Sequence, residues 1–345
     1  MGLLAHLPDI AARHVSGRRL VIIADDQVAR ALTIPLDVPV LTFPAGEASK
    51  TRETWAHLTD QLLQRGFGRD TALVALGGGV TGDLAGFVAA TFLRGVPFLQ
   101  VPTTLLAMLD ASVGGKTGVD TPAGKNLVGA FHQPAAVVMD PAVLATVPEA
   151  DLRAGLAEAV KHAAILDAVH FGWLGGAAGP LLARDLGAIE MLIRRSVAIK
   201  VEIVQRDETE KGRRAVLNAG HSVAHALEVA TGYRISHGEA VAIGLVVEAS
   251  LGEELGVTEP GTAAVLAALL QQFHLPTGIP ADTSPDALLD AMRADKKNRS
   301  GAIRLALLAR IGTPAGDETK GWTTAVGEEE IRLAIQKHQV LGTAY

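Results

Sequence analysis

Residues 71–83, Thr-Ala-Leu-Val-Ala-Leu-Gly-Gly-Gly-Val-Thr-Gly-Asp, restrict the fold more than any other stretch of the chain. A short apolar run of strand length meets a glycine loop with no spacer, and an Ala-rich helical run follows through Arg94. Strand, glycine loop and helix in that order make the repeating unit of a parallel α/β sheet. Upstream, Arg18–Asp25 reads as a buried parallel strand ending in an acid, and Val38–Phe43 as a second strand. The polar stretch Pro44–Lys50 then opens a helix to about Arg65, with Ser49 as its N-cap. Gly77, Gly79 and Gly82 fit Gly-x-Gly-x-x-Gly, in which bare backbone approaches a pyrophosphate and the following helix offers free N–H groups. A tight turn that only packs strand on helix would also use these glycines; the flanking strand and helix favour a dinucleotide. The acid expected about 20 residues on is missing, because Gln100-Val101-Pro102-Thr103-Thr104 ends the next strand. This predicts a doubly wound, Rossmann-like, mostly parallel sheet of a less common kind. Asp25, Glu47, Ser49 and Lys50 are then the candidates for ribose and nicotinamide contacts.

Farther on, Gly114-Gly115-Lys116-Thr117 looks like part of a P-loop, yet Ala111 stands where its first glycine belongs and no strand precedes it. A nucleoside triphosphatase is excluded. Lys116, Lys125 and Asn126 in this glycine-rich stretch, read as a loop, still offer an anion cradle. From Asp151 the segments become long, Ala/Leu-rich and helical in period, and β-branched runs nearly vanish until Ile303–Leu308. That shift places a domain boundary near 145–150, giving an α/β domain over 1–148 and an all-α domain over 149–345. Two charge-rich spots, Gln205–Arg214 and Asp295–Arg299, read as solvated faces or as parts of a site.

In the helical half His221 and His225 stand four apart on one apolar-faced helix, and His237 follows beyond a turn. A lone His-x-x-x-His pair is common by chance, but three histidines within seventeen residues suggest a cation. The chain has no cysteine, so zinc would need imidazole and carboxylate ligands. Glu158, flanked by alanines and three residues before Lys161, is a buried carboxylate in search of a partner. Spacing alone leaves His225 and His237 equally eligible beside His221. Lys200, Glu210, Arg214 and Asn218 complete a dense polar series for a helical domain.

The formal net charge of −6 gives no general attraction to nucleic acid or an anionic membrane, so any anionic ligand must be caught locally. There is neither a basic, apolar leader at the start nor an apolar run of membrane-spanning length, and a cytoplasmic location is expected.

The motifs at 77–83, 102–110 (Pro-Thr-Thr-Leu-Leu-Ala-Met-Leu-Asp), 114–119 and 124–134 (Gly-Lys-Asn-Leu-Val-Gly-Ala-Phe-His-Gln-Pro), together with Ala-Gly-Leu-Ala-Glu-Ala-Val-Lys, Leu-Asn-Ala-Gly-His-Ser-Val-Ala-His-Ala-Leu-Glu and His-Gly-Glu-Ala-Val-Ala-Ile-Gly, resemble the 3-dehydroquinate synthase family of sugar phosphate cyclases. Seven ordered motifs span nearly the whole chain. The resemblance implies NAD on the first domain, a divalent metal on the second, usually zinc with cobalt as an alternative, and a homodimer. It implies Glu158, His221 and His237 as metal ligands. For the substrate phosphate it implies His225, Lys116, Asn126 and Lys161, with Arg94 from a partner subunit. It sets Asp110, Lys200 and Glu210 on the substrate hydroxyls, and Arg214, Asn218 and one of Lys296 and Lys297 on the carboxylate. NAD would lie on Gly78, Gly79, Asp83, Thr103 and Thr104, with Asp25, Glu47, Lys50, Lys116, Lys125 and Thr146 nearby.

Three positions depart from the family's usual residues: Gln27 and Asp120, each where Asn is frequent, and Ala224, where Gly is frequent. None removes a charged site residue. The implied reaction converts 3-deoxy-D-arabino-heptulosonate 7-phosphate to 3-dehydroquinate and phosphate in the shikimate pathway. It runs by transient oxidation, elimination, re-reduction and an internal aldol. A sister cyclase making 2-deoxy-scyllo-inosose or 2-epi-5-epi-valiolone is the nearest rival, although Arg214 with Asn218 suits a carboxylate-bearing substrate. A metal-dependent polyol dehydrogenase has less use for the cationic cradle. A catalytically dead NAD-binding protein has no use for the intact acid, lysine and histidine set.

Overall fold

The computed structural model describes residues 2–294 and 302–340. Its contacts divide the chain between Leu152 and Arg153 into two compact units.

The first unit opens with α1 (Leu7–His14), β1 (Arg19–Asp25) and α2 (Asp26–Ala31), followed by β2 (Val40–Phe43) and α3 (Arg52–Gln64). Next come β3 (Thr71–Gly77), α4 (Gly79–Thr91), β4 (Phe98–Pro102), the hairpin β5 (Lys116–Thr121) and β6 (Gly124–Phe131), and β7 (Ala136–Val137). Five strands form one all-parallel sheet in the order β2-β1-β3-β4-β7. Residues of β1 alternate between two cores. Val21 and Ile23 pack with Leu58, Leu84 and Val88 from α3 and α4, while Ile22 and Ala24 pack with Leu7 and Ala11 of α1. A strand buried on both faces reads as a continuous apolar run, and this is why 71–76 carried so clear a signal.

Several boundaries differ from the sequence reading. The third helix is capped by Thr51, whose hydroxyl accepts from Thr54 N at 3.2 Å, and Ser49 lies in a 3-10 turn over Glu47–Ser49. The second strand starts at Val40. Helix α4 stops at Thr91, because Leu93 (φ 49°) and Arg94 (φ 72°) turn left-handed before Gly95. The stretch 114–131 is not a loop but an antiparallel hairpin pairing Lys116 with Phe131 and Val119 with Val128.

The second unit carries α5 (Glu149–Leu166, begun just before the division), α6 (Ala168–Gly176), α7 (Ala178–Leu182), α8 (Leu186–Arg206), α9 (His221–Ala230), α10 (His237–Glu254), α11 (Thr262–Gln272), α12 (Pro285–Ala294) and α13 (Glu328–Lys337). Helix α10 is buried on nearly every side from Gly238 to Gly252, as its all-round apolar sequence requires. Three two-stranded ribbons supplement the helices among the described residues, one of them pairing Ile303–Leu305 with Thr324–Val326. The charge run 205–214 is no solvated helix face. Beyond α8 the Asp207 carboxylate gathers the amides of Lys211, Gly212 and Arg214. No described helix is long and apolar enough to cross a membrane.

Candidate metal centre and glycine loop

Two close approaches of backbone build the centre of the second unit. Gly238 packs so tightly on α5 that a Cβ there would lie 2.2 Å from Ala154 Cα. One turn on from Ala154, on the same side of α5, stands Glu158. A Cβ on Gly244 would lie 2.0 Å from the carbonyl oxygen of Gly220, so α10 and the start of α9 meet backbone to backbone. Gly220 itself is left-handed at φ 77°, and the buried Glu248 carboxylate of α10 accepts from Gly220 N (2.8 Å) and Val223 N (3.1 Å), which fixes where α9 begins. Ser236 and Glu239 form a capping box that starts α10. His221 and His237 are thereby the first residues of two anchored helices.

The ligand atoms of Glu158, His221 and His237 all lie within 4.8 Å of one another. Glu158 Oε1 is 3.5 Å from His221 Nε2 and 3.4 Å from His237 Nε2. A tetrahedral zinc with bonds of about 2.1 Å holds its ligands about 3.4 Å apart, so the donors fit such an ion in kind and in spacing. Glu158 is fully buried, and its second oxygen pairs with the equally buried Lys161, where an exposed i,i+3 pair had also been conceivable. For His237, burial opposes protonation, but Glu158 and Glu228 outweigh it and push the ring up to about 10. His221 is driven well below the usual imidazole value by burial and then by the Lys161 charge. The ring of His225 lies beside this group, 5.4 Å from that of His221 and 6.4 Å from that of His237.

Elsewhere in the second unit, Lys200 is buried on α8, and Asn218 Nδ2 donates to Glu210 Oε1 at 2.8 Å. Glu210 takes a left-handed backbone at φ 56°. Arg214, 2% exposed, donates its guanidinium to the Glu208 carbonyl. Lys296 and Lys297 lie outside the described residues. Sequence reasoning passed over Glu228 and Glu248. An acid on an otherwise apolar helix is the signal that marks both.

In the first unit the glycines divide their work. A Cβ on Gly77 would strike Thr81 Oγ1 at 2.3 Å, and one on Gly82 would strike the Gln100 side chain at 2.2 Å. These two serve the turn and the helix-strand contact. At Gly79 the nearest atom would be Ala111 Cβ at an ordinary 3.4 Å, so the close packing inside the chain does not require that glycine. Gly78 caps α4 without a side chain. Such a bare helix start fits a pyrophosphate.

Lys50 Nζ meets Asp83 at 2.6 Å, and Lys125 Nζ lies 3.8 Å from Glu47. The Asp25 carboxylate caps α2 through Gln27 N and Val28 N and meets the Thr81 hydroxyl at 3.3 Å. Thr103 N donates to Gly77 O at 2.9 Å, and Thr104 Oγ1 accepts from Ala107 N at 3.2 Å. Asp110 lies in a π-helical turn over Ala107–Ala111, and the Asn126 backbone N–H donates to Asp120 Oδ1 at 2.8 Å from a left-handed φ of 55°. Lys116 is exposed at the start of β5, Arg94 is exposed on its left-handed turn, and the Thr146 hydroxyl binds Val143 O at 3.1 Å.

A parallel-sheet unit with a glycine loop and a helical unit with a candidate Glu/His/His metal site give the chain the fold of the sugar phosphate cyclases. Two solved structures carry this. The chain superimposes on 2-deoxy-scyllo-inosose synthase complexed with carbaglucose-6-phosphate, NAD+ and Co2+ with a TM-score of 0.87 at 27% identity, covering 97% of this chain and 95% of the other. For 2-epi-5-epi-valiolone synthase from Streptomyces hygroscopicus subsp. jinggangensis, with NAD+ and Zn2+ bound, the values are 0.86 and 30%, over 97% and 94%. Sequence comparison narrows the class. Residues 40–154 match the 3-dehydroquinate synthase N-terminal family and residues 155–298 its C-terminal family. The 3-dehydroquinate synthases of Xanthomonas oryzae pv. oryzae (49% identical over 318 residues, 87% of this chain and 86% of that one) and Xylella fastidiosa (47% over 326 residues, 90% and 88%) are similar over most of their length. The chain belongs to the 3-dehydroquinate synthase family, and it is an enzyme of that activity.

Proposed function

We propose that NAD binds at Gly78 and Gly79 on the first unit, that Glu158, His221 and His237 hold one divalent cation, zinc by preference, and that the enzyme works as a homodimer in the cytoplasm, in the shikimate route to aromatic amino acids. The observation that carries the metal is the spacing of a buried carboxylate oxygen 3.4 Å and 3.5 Å from two imidazole nitrogens. The inosose and valiolone synthase structures, which contain NAD+ with Co2+ or Zn2+, support the same pairing of cofactors.

Held by Glu158, His221 and His237, a cation would supply Lewis-acid polarisation of the substrate's vicinal hydroxyls, and NAD at the glycine loop would supply a reversible hydride acceptor. The chain's own groups bind and orient. In the second unit His225 and Lys161 address the phosphate, Lys200 and Glu210 the hydroxyls, and Arg214 with Asn218 the carboxylate. The Asp207 and Glu208 contacts hold Arg214 in one place, so that a planar cationic fork is ready for a carboxylate. In the first unit Lys116 and Asn126 add to phosphate recognition, and Asp110 to that of the hydroxyls. With the departing phosphate taking the neighbouring proton, the chain needs fixed cations more than a strong base. Orientation of this kind can contribute about 7 kcal/mol or more. The proposed dimer is supported by the exposed Leu127, Val128 and Phe131 of β6, an edge strand of a two-stranded sheet, and by the exposed Arg94 on its strained turn.

The test is phosphate release from 3-deoxy-D-arabino-heptulosonate 7-phosphate with NAD and zinc, while NADH absorbance is followed. Phosphate release without NADH accumulation is expected, and His237→Ala should lose zinc and turnover while keeping NAD affinity. Release only from a sugar phosphate lacking the carboxylate would move the enzyme to a sister cyclase.

A further inference from the structure

We propose that Glu228 is a positioning residue for His237, fixing the tautomer in which Nε2 faces the metal; the inference rests on the ligand assignment above. On α9, His221, His225 and Glu228 follow at i, i+4 and i+7 and so share one face. Glu228 is 5% exposed, and its Oε2 lies 3.7 Å from His237 Nδ1. The other nitrogen of that ring, Nε2, lies 3.4 Å from Glu158 Oε1. The imidazole therefore stands between two carboxylates, one at each nitrogen.

An imidazole that gives Nε2 to a cation keeps a single N–H, at Nδ1, and an ionised carboxylate only accepts. Glu228 draws that hydrogen to Nδ1 and leaves the Nε2 lone pair for a cation. His221 is set in the same way by backbone, with Nδ1 3.2 Å from the Ala219 carbonyl oxygen. The two rings thus present the same nitrogen to the Oε1 of Glu158 through different acceptors. Glu228 is not itself a member of the donor group, since its carboxylate sits at Nδ1, on the nitrogen turned away from Glu158. A buried carboxylate needs such a partner, and a ligand imidazole needs such an acceptor.

The test compares full-length wild type, Glu228→Gln and Glu228→Ala for zinc affinity, by competition with a chromogenic chelator, and for the visible absorption of the cobalt-loaded protein. Glu228→Gln keeps the shape and should bind zinc about 10-fold more weakly, and Glu228→Ala about 100-fold, each with shifted cobalt bands. A merely structural role would lower the melting temperature and leave the affinity and cobalt spectrum of the folded protein unchanged. Zinc affinities within about twofold of wild type for the folded variants, with unshifted bands, would overturn the inference. Should Glu228→Ala fail to fold, Glu228→Gln decides alone. Folded wild type without a zinc equivalent, or His237→Ala with one, would instead remove the ligand assignment and the inference with it.

Discussion

Replacing Gly238 with alanine tests how the Glu/His/His centre is assembled. The new methyl would lie 2.2 Å from Ala154 Cα, 2.6 Å from Ala154 Cβ and 2.7 Å from Ala154 O, two of them backbone atoms of α5 that cannot swing aside. Carbon atoms settle at about 3.5 Å or more, so the start of α10 must retreat by about 1.3 Å or the helices must deform. Overpacking of this kind costs about 1–3 kcal/mol, partly offset by about 1 kcal/mol from the better helix propensity of alanine. The metal centre should suffer more than the fold. His237 precedes Gly238 directly, and ligand geometry tolerates only about 0.5 Å of error. Zinc affinity, measured by chelator competition, should fall by about 100-fold while the melting temperature falls by only a few degrees. A Gly238→Ala protein that binds zinc within about threefold of wild type would refute the argument that this approach of α10 to α5 sets the ligand spacing.

Three further outcomes are expected. Asp83→Asn removes the ion-pair partner of the buried Lys50, leaving Glu47 and Asp120 as the counter-charges that still act on it, and should destabilise the first unit by about 2–3 kcal/mol in urea unfolding; an unchanged midpoint would show that the pair is solvated. Glu248→Ala strands the buried amides of Gly220 and Val223 and should lower stability by about 2–4 kcal/mol, read by thermal unfolding, and an undiminished melting temperature would count against the cap. Burial holds the His170 pKa down from 6.5 to about 4, with the ring stacked on Trp173 and Nε2 3.5 Å from the Ser196 hydroxyl. Because the folded value is depressed, its contribution is complete above pH 6.5 and is lost as pH falls towards 4, by about 3 kcal/mol; unfolding free energies of His170→Leu should flatten over that interval, and parallel pH slopes would refute it.

The parallel sheet was legible because strands buried on both faces carry runs such as 71–76 that admit few other readings. The hairpin was not. Its strand β6 leaves Leu127 and Val128 exposed in succession, so no alternation of period two betrays it, and its glycines resemble a loop. Ser49 and Thr51 carry the same capping chemistry two residues apart, and only the fold shows which hydroxyl meets an amide. At the centre, residue types announced a cation, but spacing could not choose between His225 and His237, because the chain between α9 and α10 decides which ring faces Glu158. The neighbours of that ring were harder still: Gly238 acts through what it lacks, and Glu228 looks like an ordinary helix acid until its burial is seen.

His221 and His237 each open a helix, and helix ends are where backbone order is lost first. With Glu158, His221 and His237 holding a cation as proposed, its exchange would follow the opening of these two helix starts, and the ion would act as a clasp on both. The Glu248 cap and the Ser236 box would then set how often that clasp opens, so that residues that never touch the ion would tune its lifetime.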